Sequence, residues 1–201
     1  MKPSSLHLLL ALSLATLAAC SGAGDAGAPS APASTPEAPA DPPASDAPPI
    51  RETIDPTIVS SLKNAGVDVE KLPDSIAAVG GERQLTAVMR SFTSALGTTC
   101  DGCHGERNGR IDYELETSNK RVARKMWSDF VSRLQRADGG AIYCDSCHQG
   151  KMKFLVRDQA TPTWMKANFV EKLARRDGQA HDCATCHGEP FNEGFVEGWR
   201  K

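Results

Sequence analysis

The chain has 201 residues, a formal net charge of −2 at pH 7, seven cysteines and only 5% aromatic residues. Its Lys and Arg are dispersed rather than gathered on one face, so nucleic acid is excluded as an expected partner. So few large side chains make a small core for a chain of this length, and something else must fill the interior.

Residues 1–19 read as a signal peptide, with Lys2 as the positive start and an apolar stretch over Leu6–Leu17. That stretch is too short to remain in a bilayer as a spanning helix. It ends in Leu17-Ala18-Ala19-Cys20, the pattern of a bacterial lipobox, whose cysteine becomes lipidated and N-terminal. The alternative is an ordinary cleavage site that happens to contain Cys20. Lipidation is the preferred reading because Cys20 is the one cysteine outside a pair. Residues 20–54 then form a tether: eight of the thirteen prolines fall between residues 21 and 54, mixed with Ala, Ser, Gly and a few acids. Such a composition cannot bury enough apolar surface to offset chain entropy. At about 3 Å per residue its reach approaches ~100 Å.

Residues 55–201 have the size of one domain, and Lys and Arg barely outnumber Asp and Glu there. They hold three copies of one pentapeptide: Cys100-Asp101-Gly102-Cys103-His104, Cys144-Asp145-Ser146-Cys147-His148 and Cys183-Ala184-Thr185-Cys186-His187. Two thiols separated by two residues on one helical turn reach both vinyl groups of a haem as thioethers. The following histidine meets the iron from the same side. A disulfide framework gives no reason for a histidine after each pair. Structural zinc takes ligands in fours, and three pairs do not divide that way. A thioredoxin-like motif needs one pair at a βα junction. The cofactor expected is therefore three covalently bound haem c groups on Cys100, Cys103, Cys144, Cys147, Cys183 and Cys186, with His104, His148 and His187 as iron ligands.

A repeat of 39 residues surrounds the second and third motifs. MWSDFVSRLQRADGGAIYCDSCH starts at Met126, and MKANFVEKLARRDGQAHDCATCH starts at Met165. Met, Phe and Leu at i, i+4 and i+8 draw one helical stripe in each. The helix of the first copy is expected from Thr117 or Ser118 to about Ala137. That of the second opens at Thr161-Pro162, an N-cap followed by proline at the first helical position. Before the first motif, Leu85, Val88, Met89, Phe92, Ala95 and Leu96 draw a third helix, stopped by Gly97. Each motif thus follows a helix bearing a methionine, 18 residues ahead of the first cysteine in both copies. Mid-helix methionine ordinarily fills a core. Here histidine is scarce, since only His181 lies outside the signal peptide and the motifs, so Met89, Met126 and Met165 are the expected sixth ligands of iron. His181 reads as a surface residue that could instead ligate a neighbouring haem, and Met152 as a spare ligand. The fold expected is mostly α, an irregular multihaem cytochrome c of repeated helix–CxxCH units with little or no sheet, poorly folded without haem.

The haem region, about residues 82–190, resembles the cytochrome c subunit of photosynthetic reaction centres and its smaller non-photosynthetic relatives. The resemblance rests on Met89 through Leu96-Gly97 to the first motif, and on the run Lys120-Arg121-Val122-Ala123-Arg124-Lys125-Met126. It implies methionine sixth ligands and haems arranged as an electron wire. That subunit holds four haems in a longer chain, whereas this chain has three motifs.

Iron with two strong axial ligands keeps no open position for a substrate, yet exchanges electrons with little movement. The function expected is an electron relay between an unidentified redox donor and acceptor, not an enzyme. It would be lipid-anchored through Cys20 at the periplasmic face of a bacterial membrane, with Ser21 pointing to the outer one. The alternatives are a multihaem enzyme or a haem sensor with one open iron, or a subunit of a larger oxidoreductase. For the last, the tail aromatics Phe191, Phe195 and Trp199 would be the docking patch, unless they lie over the last haem.

Overall fold

The computed structural model describes residues 49–153, 155 and 161–201. Cys20, the signal peptide and the tether up to residue 48 lie outside the described residues. Helix α1, Pro56–Ala65, starts where Asp55 accepts a hydrogen bond from Thr57 N and proline fills the first turn; it stops at Gly66 in the left-handed region. Helix α2, Glu82–Leu96, stops at Gly97 in the same conformation (φ 59°, ψ 43°), as the sequence predicts. The apolar stripes of the two helices face each other. Ile58, Leu62 and Ala65 meet Ala87, Val88, Phe92 and Ala95, together with Val67, Trp127, Val131, Ala141 and Tyr143. Phe92, Trp127 and Tyr143 form an aromatic triangle with centroids 6.0 to 6.3 Å apart. Trp127 Nε1 donates to Pro73 O at 2.8 Å, and Tyr143 OH bonds Ser91 Oγ at 2.7 Å, so both aromatics are buried without an orphaned polar atom. Each fully buried large side chain contributes roughly 1.5–3 kcal/mol.

After the first motif comes a hairpin, β1 Gly105–Arg107 with β2 Arg110–Asp112, turned by Asn108-Gly109 with both φ positive. Helix α3, Ser118–Met126, is capped by Thr117 Oγ1 on Lys120 N and runs into a π-helical turn, Trp127–Val131. The helix does not continue to Ala137 as its period suggests. Leu134–Arg136 is strand β3 instead. Its partner is β4, Leu173–Arg175, the same three positions of the second copy. That copy has its own short helix α5, Pro162–Met165, capped by Thr161, and its own π-turn, Lys166–Val170.

The pairing register carries a local symmetry. Leu134 opposes Arg175, Gln135 opposes Ala174 and Arg136 opposes Leu173. Outside the strands, Ala137 N donates to Lys172 O (2.9 Å) while Arg176 N donates to Arg133 O (2.8 Å). A shift of 39 residues converts each contact into its mate, so the copies meet about a pseudo-two-fold axis through Gln135 and Ala174. Leu134 and Leu173 form the core at that axis with Ile50 and Ile142, flanked by Phe130 and Phe169. The surroundings of the copies differ. Trp127, Ile142 and Tyr143 lie in the cores of the first, and their equivalents are Lys166, His181 and Asp182. Only the first copy has α1 and α2 to cover it.

Residues 49–54, assigned by composition to the tether, lie on the domain. Ile50 and Ile54 are buried, Arg51 N donates to Ser146 O (2.8 Å), and Gln149 Nε2 donates to Pro49 O (2.7 Å). Alternating apolar residues inside a proline-rich stretch find a surface that composition alone does not reveal. The protein is mostly helical, and its described strands make two small antiparallel pairs. No helix among the described residues is long and apolar enough to cross a membrane.

Candidate haem sites

The second and third motifs are single helical turns, α4 Cys144–His148 and α6 Cys183–His187. Positions i, i+3 and i+4 share a helix face, which aligns two thiols and an imidazole. The third residue of each turn fixes its start. Ser146 Oγ accepts from Tyr143 N at 3.0 Å, and Thr185 Oγ1 accepts from Asp182 N at 3.1 Å. Each imidazole is held by a carbonyl just downstream: His148 Nδ1 lies 2.9 Å from Lys151 O, and His187 Nδ1 lies 3.0 Å from Asn192 O. An Nδ1–H given to a backbone oxygen leaves Nε2 as the lone-pair donor, the tautomer a metal-ligating histidine needs.

The first motif is built differently. Cys100–Gly102 is a 3₁₀ turn, and His104 N donates to Cys100 O at 2.9 Å. The start of α3 clasps it, with Thr117 Oγ1 donating to Cys103 O and Asn119 Nδ2 to Gly102 O at 2.7 Å. Tyr113 stands edge-on to the His104 ring at 4.9 Å. The His104 Nδ1 is enclosed without a hydrogen-bond partner, and burial pulls the pKa of the ring below the ordinary value.

All six cysteines of the motifs are free thiols. Burial pushes the Cys144 thiol up strongly, Cys147 to about 12 and Cys186 to about 11. The Cys186 charge adds to the rise at Cys147, so the second and third motifs are neighbours. Among the described residues no three His, Cys, Asp or Glu side chains gather as a metal site. Next to the third motif lies a cavity of about 700 Å³, walled by Cys186, Phe130, Leu134 and Trp199 and by several charged side chains. That size suits a large cofactor. Unpaired thiols, two imidazoles held by Nδ1 and a cavity of mixed apolar and charged walls beside a motif all fit covalently attached haem.

A profile of the family described as cytochrome c7 and related cytochrome c matches residues 87–188, from within α2 to just past His187. The chain belongs to the cytochrome c7 family. It is a multihaem c-type cytochrome of the electron-transfer kind, with covalently bound haem c. The likeness to the reaction-centre cytochrome subunit is thereby reduced to what the two groups share, multihaem c-type character. No curated protein and no solved structure matches the chain.

Within this cytochrome c7 frame the methionines differ. Met126 and Met165 are half-buried, belong to neither buried cluster, and each immediately precedes a π-turn. Ser132 N reaches Trp127 O, and Glu171 N reaches Lys166 O, at 3.0 and 2.9 Å, both five residues back. Such widened turns recur at functional positions of helices. Met89 packs against the main core. Met152 is 38% exposed, with its methyl close to Gly102 of the first motif. His181 is half-buried rather than a surface residue, and its Nδ1 is enclosed without a partner. The tail aromatics lie on the third motif. Phe191 stacks on His187 at 4.3 Å, Phe195 meets it edge-on at 5.2 Å, and Trp199 reaches Phe195 and Phe130.

Sequence reasoning missed Asp145, inside the second motif. It is 2% exposed, accepts from Asp55 N at 2.8 Å and faces Arg51 at 3.6 Å. It missed Arg176 too, which has Ala137 as its counterpart in the first copy. That break in the repeat was the signal available.

Proposed function

We propose that this cytochrome carries three haem c groups and relays single electrons between two redox proteins, held to the periplasmic face of a membrane by a lipid on Cys20. The observation that carries the reading is the threefold CxxCH motif whose thiols are unpaired in every copy. Bound haem supplies a reversible one-electron couple. The six cysteines would anchor it, and His104, His148 and His187 would be ligands of its iron. The carbonyls of Lys151 and Asn192 orient two of those rings and raise their basicity. Met89, Met126 and Met165 would supply the second protein ligand, and a thioether ligand raises the potential by favouring ferrous iron.

Support is stronger for Met126 and Met165 than for Met89, whose side chain also packs against the core. If Met89 stays in the core, the iron held by His104 has an open position, and a ligand-binding sensor or enzyme is the second reading. His181, with an enclosed and unpartnered Nδ1, is the rival sixth ligand.

The test is an optical redox titration of the purified protein, followed by carbon monoxide on the reduced form. Three haems, a methionine–iron charge-transfer band in the oxidised state and no carbon monoxide binding support a saturated carrier. Rapid stoichiometric binding at one haem moves the sensor or enzyme reading to the front. The anchor is tested separately: replacing Cys20 should release the protein from the membrane fraction, and retention there would remove the lipid from the account.

A further inference from the structure

The cavity beside the third motif has more positive charge than the protein uses. Lys125, Arg133, Arg175 and Arg176 line it against two carboxylates, Asp129 and Asp177. Both carboxylates are already engaged, Asp129 by Lys125 at 2.8 Å and Asp177 by Arg175. Arg133 and Arg176 are left over, two positive charges facing one cavity.

Arg176 is the better placed. Its Nε donates to Leu134 O at 3.0 Å and its Nη1 to Glu70 O at 3.2 Å, so the guanidinium is fixed by two separate segments. Its Nη2 is enclosed and has no hydrogen-bond partner. An enclosed donor without an acceptor costs free energy until one completes it. A guanidinium fork matches a carboxylate in particular. The pseudo-two-fold arrangement does not require an arginine here, since Ala137 serves in the first copy.

We infer that Arg176 binds a propionate of the haem attached at Cys183 and Cys186, and that this ion pair sets the potential of that haem. The two surplus charges of the cavity equal the two propionates a haem carries, and Cys186 forms part of the cavity wall. A propionate left negative favours ferric iron; one neutralised by Arg176 lets the potential rise. The inference rests on the third motif being loaded, so intact mass must first show three haems on the protein used. A chain lacking the third haem would overturn the three-haem reading itself.

The experiment is a potentiometric titration of haem-loaded wild type, R176Q and R176K between about pH 4 and pH 7, a window that opens near the ordinary pKa of an alkyl carboxyl. In R176Q one haem should shift at least tenfold toward the oxidised form at fixed potential, about 59 mV for a one-electron couple. Its midpoint should also become pH-dependent. R176K, which keeps the charge, should stay nearer wild type. Loaded R176Q with wild-type midpoints at every pH would overturn the inference. Should R176Q fail to load, wild type decides through the paramagnetically shifted propionate resonances of that haem. They should not move over this pH range, and an ordinary carboxylate titration there would overturn the inference equally.

Discussion

Asp145 occupies one of the two middle positions of a Cys-x-x-Cys-His turn, where a side chain has no part in attaching haem. Its burial raises its pKa, because the low-dielectric surroundings disfavour the charge more than Asp55 N and Arg51 compensate. A carboxyl raised in this way loses stability as pH climbs from its unfolded value through its folded one. D145N keeps an acceptor for Asp55 N without the charge, and should leave the melting temperature of the haem-loaded protein unchanged or higher. D145A strips the acceptor and should cost about 1–3 kcal/mol, with faster hydrogen exchange at Asp55. Asp177 behaves oppositely: Arg175, then the Gln179 N–H, hold its carboxyl at about 2, below the ordinary 3.8. Its repeat mate Asp138, held by Gly140 N and Arg136, is lowered too. Their contribution is present above the unfolded pKa and disappears as pH falls through the folded one. Carboxyl NMR in acid should find both still ionised when ordinary aspartates have protonated.

The elements show where periodicity holds and where it fails. Helix α2 and its glycine stop follow from an apolar stripe ended by Gly97, both local features. Helix α1 is equally legible in Asp55-Pro56, Ile58, Leu62, Ala65 and Gly66, and the hairpin in Asn108-Gly109. The overrun of α3 to Ala137 has a different cause. Leu134 fits the helical stripe, yet its side chain is used at the pseudo-two-fold axis, where the backbone pairs as a strand with Leu173–Arg175. Gly97 tests the approach of the two first motifs. A Cβ there would stand 2.0 Å from Gly150 O. G97A should therefore cost more than the roughly 1–2 kcal/mol of a left-handed backbone, measured by chemical denaturation. G139A, at a positive φ with open space around it, should show the backbone cost alone.

At the scale of the molecule, the interior is uneven. The α1–α2 core with Trp127 and Tyr143 buries thirteen side chains, whereas among residues 161–201 Leu173 is the one buried side chain. Haem removal should therefore not unfold the domain uniformly. Hydrogen exchange of the haem-free protein should retain protection in α1 and α2 and lose it in α5, in α6 and in the C-terminal turn α7, Phe195–Gly198. Uniform loss of protection would mean that the first core also depends on haem. The C-terminal tail joins distant sites: Phe191 and Phe195 cover His187, while Arg200 Nη1 donates to Asn119 Oδ1 at 2.8 Å beside the first motif.

The attachment chemistry was determined by sequence alone because it is local. Five consecutive residues place two thiols and an imidazole on one turn, and no distant contact is needed to recognise them. The same holds for the helix caps and glycine stops. The environment of each motif was decided by tertiary structure, through partners far apart in the chain. Asp145 is met by a backbone N–H 90 residues away, and Arg176 is fixed by a carbonyl 106 residues away. A 39-residue repeat announces two similar units, but not that they pair through β3 and β4 or that one is sheathed by α1 and α2. Those outcomes depend on which apolar faces find cover, and that is a property of the packed chain rather than of any short segment.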